Sequence, residues 1–217
     1  ELDRNTVEDL ILGCGQPAGE AGYNLGRIVA IQAGMPTVPG VTINRYCSSS
    51  LMSVRMAAQA IKAGEGDVFI AAGVETVSRF VHGFADSGPQ NTKHAAAVAR
   101  TAEFSGGGQG AWTPFQGGLP DLYIAMGQTA ENVATYKGVT REEQDEYAAL
   151  SQQRATASLE NGFWENEITP VTTTDDEGNA VVVTKDDGIR AGTTAEGLAG
   201  LKPVFRPDGT VTAGNAC

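Results

Sequence analysis

Histidine and cysteine are scarce in this chain. The two histidines, His82 and His94, have no partner at ligand spacing, so no metal motif is present. Three cysteines, Cys14, Cys47 and Cys217, are too few and too far apart for a disulfide framework and suit a reducing compartment. Positive charge is also thin: 15 Lys and Arg face 26 Asp and Glu, for a net charge of −11. A protein that tracks phosphates along nucleic acid carries a basic stripe, and none is visible here. No uninterrupted apolar run approaches the roughly 20 residues that span a bilayer. No signal peptide opens the sequence as given, and a cytoplasmic location is expected.

Glycine is plentiful, with 28 in 217 residues against about 7% in an average chain. It marks tight turns or backbones that approach something closely. With 41% hydrophobic and 19% charged residues, the composition is that of a globular chain of one or two domains.

One stretch organises the rest. Val41 and Ile43 are β-branched and alternate with polar residues, a strand signature, and the strand stops at Cys47. Beyond Ser48, Ser49 and Ser50, the residues Leu51, Val54, Ala58 and Ile61 recur on one helical face, predicted to turn inward, and Gly64 closes the helix. One of the serines is expected to supply the N-cap oxygen. Cys47 therefore stands at a helix entrance, beside free amide donors and the positive end of the dipole. That setting favours thiolate, which is the nucleophile. Most free cysteines are inert packing residues. Small neighbours and the strand–turn–helix context favour chemistry at Cys47, whereas Cys14 lacks that context and reads as packing.

The run from Asn44 to Ser78, with Asn44, Cys47, Ser49, Leu51, Gly73 and Glu75, resembles the nucleophile segment of thiolases, V-N-x-x-C-[AS]-S-G-L followed by G-G-M-E-S-M-S. Ser50 stands where the family usually has glycine. Further along, 126–134 resembles M-G-x-T-A-E-N, 140–145 resembles S-R-E-E-Q-D, and 212–216 resembles T-A-G-N-A. These runs follow family order over nearly the whole chain. The resemblance implies a layered α/β/α core, incomplete here, with an inserted loop domain. Residues 1–82 would be the partial core, 83–206 the loop domain that covers coenzyme A and makes oligomer contacts, and 207–217 the start of a strand returning to the core. It further implies Cys47 as the acyl-carrying nucleophile and Leu119, Met126 and Lys202 as contacts to CoA or substrate. Ala125 replaces a family histidine before Met126, and Lys202 replaces an arginine that helps hold the nucleotide phosphate; a lysine keeps the charge but loses the planar fork.

The remaining pattern is α/β. A strand is predicted within 7–13, a helix over 24–32 with Leu25, Ile28 and Val29 inward, and an apolar strand over 67–74, buried on both faces. Residues 83–120 are rich in Gly, Ser, Thr and Pro, with only 94–103 helical. Helices follow over 124–137, with Met126, Ala130 and Val133 on one stripe, and from a Thr140/Glu143 capping box to about 160, with Tyr147, Leu150 and Ala157 inward and Arg141 to Glu146 solvated. Residues 168–174 and 180–184 read as a hairpin around Asp175 to Asn179.

The family's later motifs, N-E-A-F, G-H-P and C-x-G, do not occur in these residues, and the chain is expected to be an internal fragment. The expected activity is thiolytic cleavage of 3-ketoacyl-CoA, or the reverse Claisen condensation, through an acyl-Cys47 intermediate. CoA and acyl-CoA would be substrates with no cofactor, in a homodimer or homotetramer. Alternatives are a ketoacyl-synthase-type condensing enzyme, or a non-catalytic module that binds CoA or joins a partner subunit.

Overall fold

The computed structural model describes residues 2–80, 85, 89–105 and 122–216, in two compact units, Glu1–Pro89 and Gln90–Cys217. The first alternates strand and helix: β1 (Asp9–Gly13), α1 (Leu25–Gln32), β2 (Gly40–Ile43), α2 (Ser49–Ala63) and β3 (Phe69–Gly73). The strands are parallel in the order β2-β1-β3, with Ile11 opposite both Val41 and Ala71. Strand pleating sends Leu10 and Leu12 to one face. There they form the core with Val7, Ala30, Met35 and Val38, against Leu25 and Val29 of α1. Gly13, of opposite parity, lies beneath the first turn of α2. The two helices therefore flank opposite faces of the sheet, the expected α/β/α layering.

Glycine permits the close approach. A Cβ on Gly26 of α1 would lie 2.5 Å from the Val41 carbonyl oxygen, and one on Gly13 would lie 2.5 Å from the Ser49 carbonyl carbon. Gly64 ends α2 at φ 77°, as predicted.

Three expectations about burial in this unit are corrected. The bulky row of α2 points outward: Leu51 is 72% exposed, and Val54, Ala58 and Ile61 are exposed too. Ser49, Ser53 and Ala57 lie on the sheet instead, because a helix this close to a strand admits only small side chains. Ser53 ties the interface by reaching the Ser49 and Ala72 carbonyls at 3.2 and 3.1 Å. Ile28 of α1 is likewise exposed. β3 is an edge strand among the described residues, half-buried to exposed rather than enclosed.

The second unit contains α3 (Ala95–Ser105), α4 (Met126–Lys137), α5 (Arg141–Glu160), the antiparallel pair β4 (Val171–Thr174) and β5 (Ala180–Val183), and α6 (Ala195–Ala199). The capping box forms as predicted: Thr140 Oγ1 accepts the Glu143 N–H at 3.2 Å and Glu143 Oε2 accepts the Thr140 N–H at 2.9 Å. The hairpin turn also forms, with Asp175 Oδ1 accepting from the amides of Glu177 and Asn179. The helix faces are again reversed. Met126, Ala130 and Val133 of α4, and Tyr147, Leu150 and Ala157 of α5, are exposed. Gln128, Glu131, Asn132 and Asp145 are buried, so the segment expected to be solvated charge contains a core carboxylate.

Candidate active site

The C-terminal ends of β1 and β2 converge where their outgoing connections leave toward opposite faces, the position at which open α/β sheets bind ligands. Gly13-Cys14-Gly15 follows β1 and Asn44 to Ser48 follows β2. Cys47 is the middle residue of a 3-10 turn, Tyr46–Ser48, that runs directly into α2. Its thiol is exposed. As an early residue of this helical entry, it carries an N–H for which helix geometry leaves no intrahelical acceptor.

The turn is held from several sides. Tyr46 has φ 45°, a left-handed conformation that costs a non-glycine residue about 1–2 kcal/mol. Asn44 Oδ1 accepts the Tyr46 N–H at 2.7 Å, while Asn44 Nδ2 donates to the Gly15 carbonyl at 3.1 Å. Ser49 Oγ accepts the Arg45 N–H at 2.9 Å and donates to the Tyr46 carbonyl at 2.6 Å. The expected serine N-cap is thus corrected: Ser48 makes no side-chain cap bond, and Ser49 staples the preceding turn instead. Glu75, just past β3, accepts the Gly15 N–H.

Cys14 contrasts with Cys47. It is fully buried, and burial pushes its thiol above the ordinary range; the nearby Glu75 charge adds to this and a hydrogen bond from the Gln16 N–H opposes it. That is the reverse of nucleophile activation.

The expected CoA contacts belong to the second unit. Met126 is 69% exposed at the first turn of α4. Lys202 is exposed. Gly127, beside Met126, lies against the ring of Phe205, which is three residues beyond Lys202 in sequence. Leu119, His82 and Cys217 lie outside the described residues. His94 stands beside Tyr123, ring centroids 6.0 Å apart, in the second unit. Among the described residues, no group of three His, Cys, Asp or Glu forms a metal cluster.

The family-like runs of the second unit build a buried polar clamp. Glu131 accepts from the backbone N–H groups of Thr210 and Val211, each at 2.9 Å. Asp145 pairs with Arg141 at 2.8 Å and accepts from Asn215 Nδ2 at 2.9 Å. Arg141 also reaches the Leu198 carbonyl at 2.7 Å. Arg206 donates to Gln128 at 2.9 Å and to Asn132. Three runs distant in sequence thus meet to hold 205–215. Arg206 carried no signal of this role in the sequence.

The family described as thiolase, N-terminal domain, matches residues 1–217. The beta-ketoadipyl-CoA thiolase of Acinetobacter baylyi is 46% identical over 215 residues, covering 97% of this chain and 51% of that protein. The acetyl-CoA acetyltransferase of Pseudomonas aeruginosa is 43% identical over 99% of this chain and 52% of its own length. Among solved structures, the acetyl-CoA acetyltransferase of Bacillus anthracis superposes with a TM-score of 0.74 at 35% identity, covering 99% of this chain and 52% of that one. The chain spans about half the length of these relatives.

Proposed function

The chain belongs to the thiolase family, as its N-terminal domain, and from that premise we propose that the full-length protein moves acyl groups between 3-ketoacyl-CoA and CoA through Cys47. The carrying observation is an exposed cysteine on a strained turn at the mouth of α2, where β1 and β2 end. In the cycle, the Cys47 sulfur attacks the C3 carbonyl. The C2–C3 bond breaks, its electrons leave with acetyl-CoA, and a proton is added at C2. The acyl group stays as a thioester on Cys47 until the CoA sulfur displaces it and regenerates the thiol. The Cys47 N–H is one donor to the oxyanion formed in the first step. The groups that take and return protons are assigned to family motifs absent from these residues.

The reading takes CoA and acyl-CoA as substrates and calls on no cofactor. It keeps 83–206 as the CoA-covering excursion, with Leu119, Met126 and Lys202 as contacts, and 207–217 as the segment returning to the core. A cytoplasmic homodimer or homotetramer belongs to the same proposal; no described helix is long and apolar enough to cross a membrane. Relatives named for beta-ketoadipyl-CoA make 3-oxoadipyl-CoA the first substrate to try beside acetoacetyl-CoA. The family match sets aside the ketoacyl-synthase alternative.

The test is mass spectrometry of the full-length protein with each substrate. An acyl adduct on the Cys47 peptide, lost on addition of CoA and absent from Cys47→Ala, is expected. Acylation that persists in Cys47→Ala overturns the reading. Lys202→Ala is expected to raise the KM for CoA severalfold with little change in kcat, read from steady-state thiolysis.

A further inference from the structure

We propose that Glu75 is a positioning residue for the Cys47 thiol, acting through Gly15 and Asn44. This rests on the acyl-transfer reading of Cys47 and adds to it a residue that never touches substrate.

The chain of bonds is continuous. The Glu75 carboxylate, on the segment leaving β3, accepts the N–H of Gly15. The carbonyl of the same Gly15 accepts from Asn44 Nδ2 at 3.1 Å. The other end of that amide, Asn44 Oδ1, accepts the Tyr46 N–H at 2.7 Å. Tyr46 precedes the nucleophile and is the residue held at positive φ. Glu75 thus braces the turn after β1, which braces the amide of Asn44, which holds the strained residue whose ψ aims Cys47. Strain of this kind persists only when its surroundings over-determine it. The groups that do so come from all three strand ends: the Gly15 backbone after β1 and the side chains of Asn44 after β2 and Glu75 after β3.

Packing makes the relay stiff. Gly15 has no side chain because Glu75 and Tyr46 stand where one would be: a Cβ would lie 3.0 Å from Glu75 Oε1 and 3.2 Å from Tyr46 Cα. Ser49 secures the turn from the helix side, so the free variable left to the relay is the strained peptide before Cys47. The chemistry required of residue 75 is an oxygen acceptor of glutamate length rather than a charge. Glutamine retains that acceptor; alanine does not.

The experiment uses the full-length protein in five forms: wild type, Glu75→Ala, Glu75→Gln, Asn44→Ala and the double variant Glu75→Ala/Asn44→Ala. Two readouts are taken, kcat and KM for thiolysis, and the rate of Cys47 alkylation by iodoacetamide with the site mapped by mass spectrometry. Glu75→Ala is expected to lower kcat about 10- to 100-fold with KM changed less than about threefold. Its Cys47 alkylation rate shifts in step, and Glu75→Gln recovers most of both. The double variant Glu75→Ala/Asn44→Ala is no worse than the poorer single one, since both cut one chain. A Glu75→Ala kcat and alkylation rate within twofold of wild type overturn the proposal. So does a Glu75→Gln defect as large as that of Glu75→Ala, which would show that charge matters. If Glu75→Ala fails to fold, Glu75→Gln and Asn44→Ala decide: the proposal stands on a near-normal Gln form with a defective Asn44→Ala, and falls on any other pair. Wild-type protein without thiolysis, yet with alkylation that depends on Glu75, would sink the activity and leave the positioning role standing.

Discussion

Cys14 and Cys47 sit in one unit, and their surroundings separate their chemistry. Iodoacetamide on the folded full-length protein is expected to modify Cys47 and spare buried Cys14, which reacts only after unfolding; peptide mapping checks this. Comparing the two cysteines therefore measures access, and the informative rate is Cys47 folded against Cys47 in denaturant. Cys14 also predicts a pH dependence. Burial raises its folded value above the ordinary thiol range, so the unfolded chain loses that proton first as pH rises. The stability associated with the protonated thiol is fully present below the unfolded value, near 8.5, and is lost as pH climbs through the raised folded value. Urea unfolding at pH 7 and pH 10 is expected to show a smaller alkaline loss in Cys14→Ala than in wild type. At this scale the place of Cys47 at a helix entrance, and the matching Asn44 and Glu75, were legible from the sequence. The positive φ of Tyr46 was not, because a tyrosine announces no left-handed turn; nor was the stapling by Ser49, because three consecutive serines offer the same oxygen.

Existence and type of the elements followed from periodicity, while the orientation of the helices did not. In α2, α4 and α5 the bulky apolar row lies outside and a row of small or polar residues lies inside. The amphipathic rule assumes that hydrophobic area decides which face is buried. Two other demands won here. The approach of α2 to Gly13 excludes anything larger than serine or alanine. In α4 and α5 the inner face must hold 205–215: Glu131 accepts from the backbone N–H groups of Thr210 and Val211, Gln128 donates to the Phe205 carbonyl, and Asp145 accepts from the Asn215 side chain. The runs 126–134, 140–145 and 212–216 thus supply most of the clamp. Removing a partner from such a buried pair leaves an uncompensated charge. Asp145→Ala is expected to lower the unfolding free energy of the full-length protein by about 3 kcal/mol, read from the urea midpoint. Glu142→Ala, at an exposed position of the same helix, is expected to fall within about 0.5 kcal/mol.

At the scale of the molecule, the outward row of α2 demands an account. Leu51, Val54 and Ile61 are 72%, 54% and 47% exposed, on a helix whose other face is already packed on the sheet. A helix already packed along one face does not ordinarily leave a bulky apolar row in water on another. The chain spans about half of its relatives, so the expectation is that the remainder of the full-length protein covers this row. The covering makes a sharp difference to one substitution. On the surface, Ile61→Asp changes stability by no more than about 0.5 kcal/mol. Beneath a second layer it places an unpaired carboxylate in hydrocarbon and removes a packed side chain, a loss of about 3 kcal/mol or more. Gln59→Asp, exposed on the same helix, controls for the poor helix propensity of aspartate. Urea unfolding of the full-length protein is expected to show a large loss for Ile61→Asp and a small one for Gln59→Asp. Equal, small losses would mean that α2 keeps its apolar row in water, and the cover must then be sought in another copy of the protein or not at all.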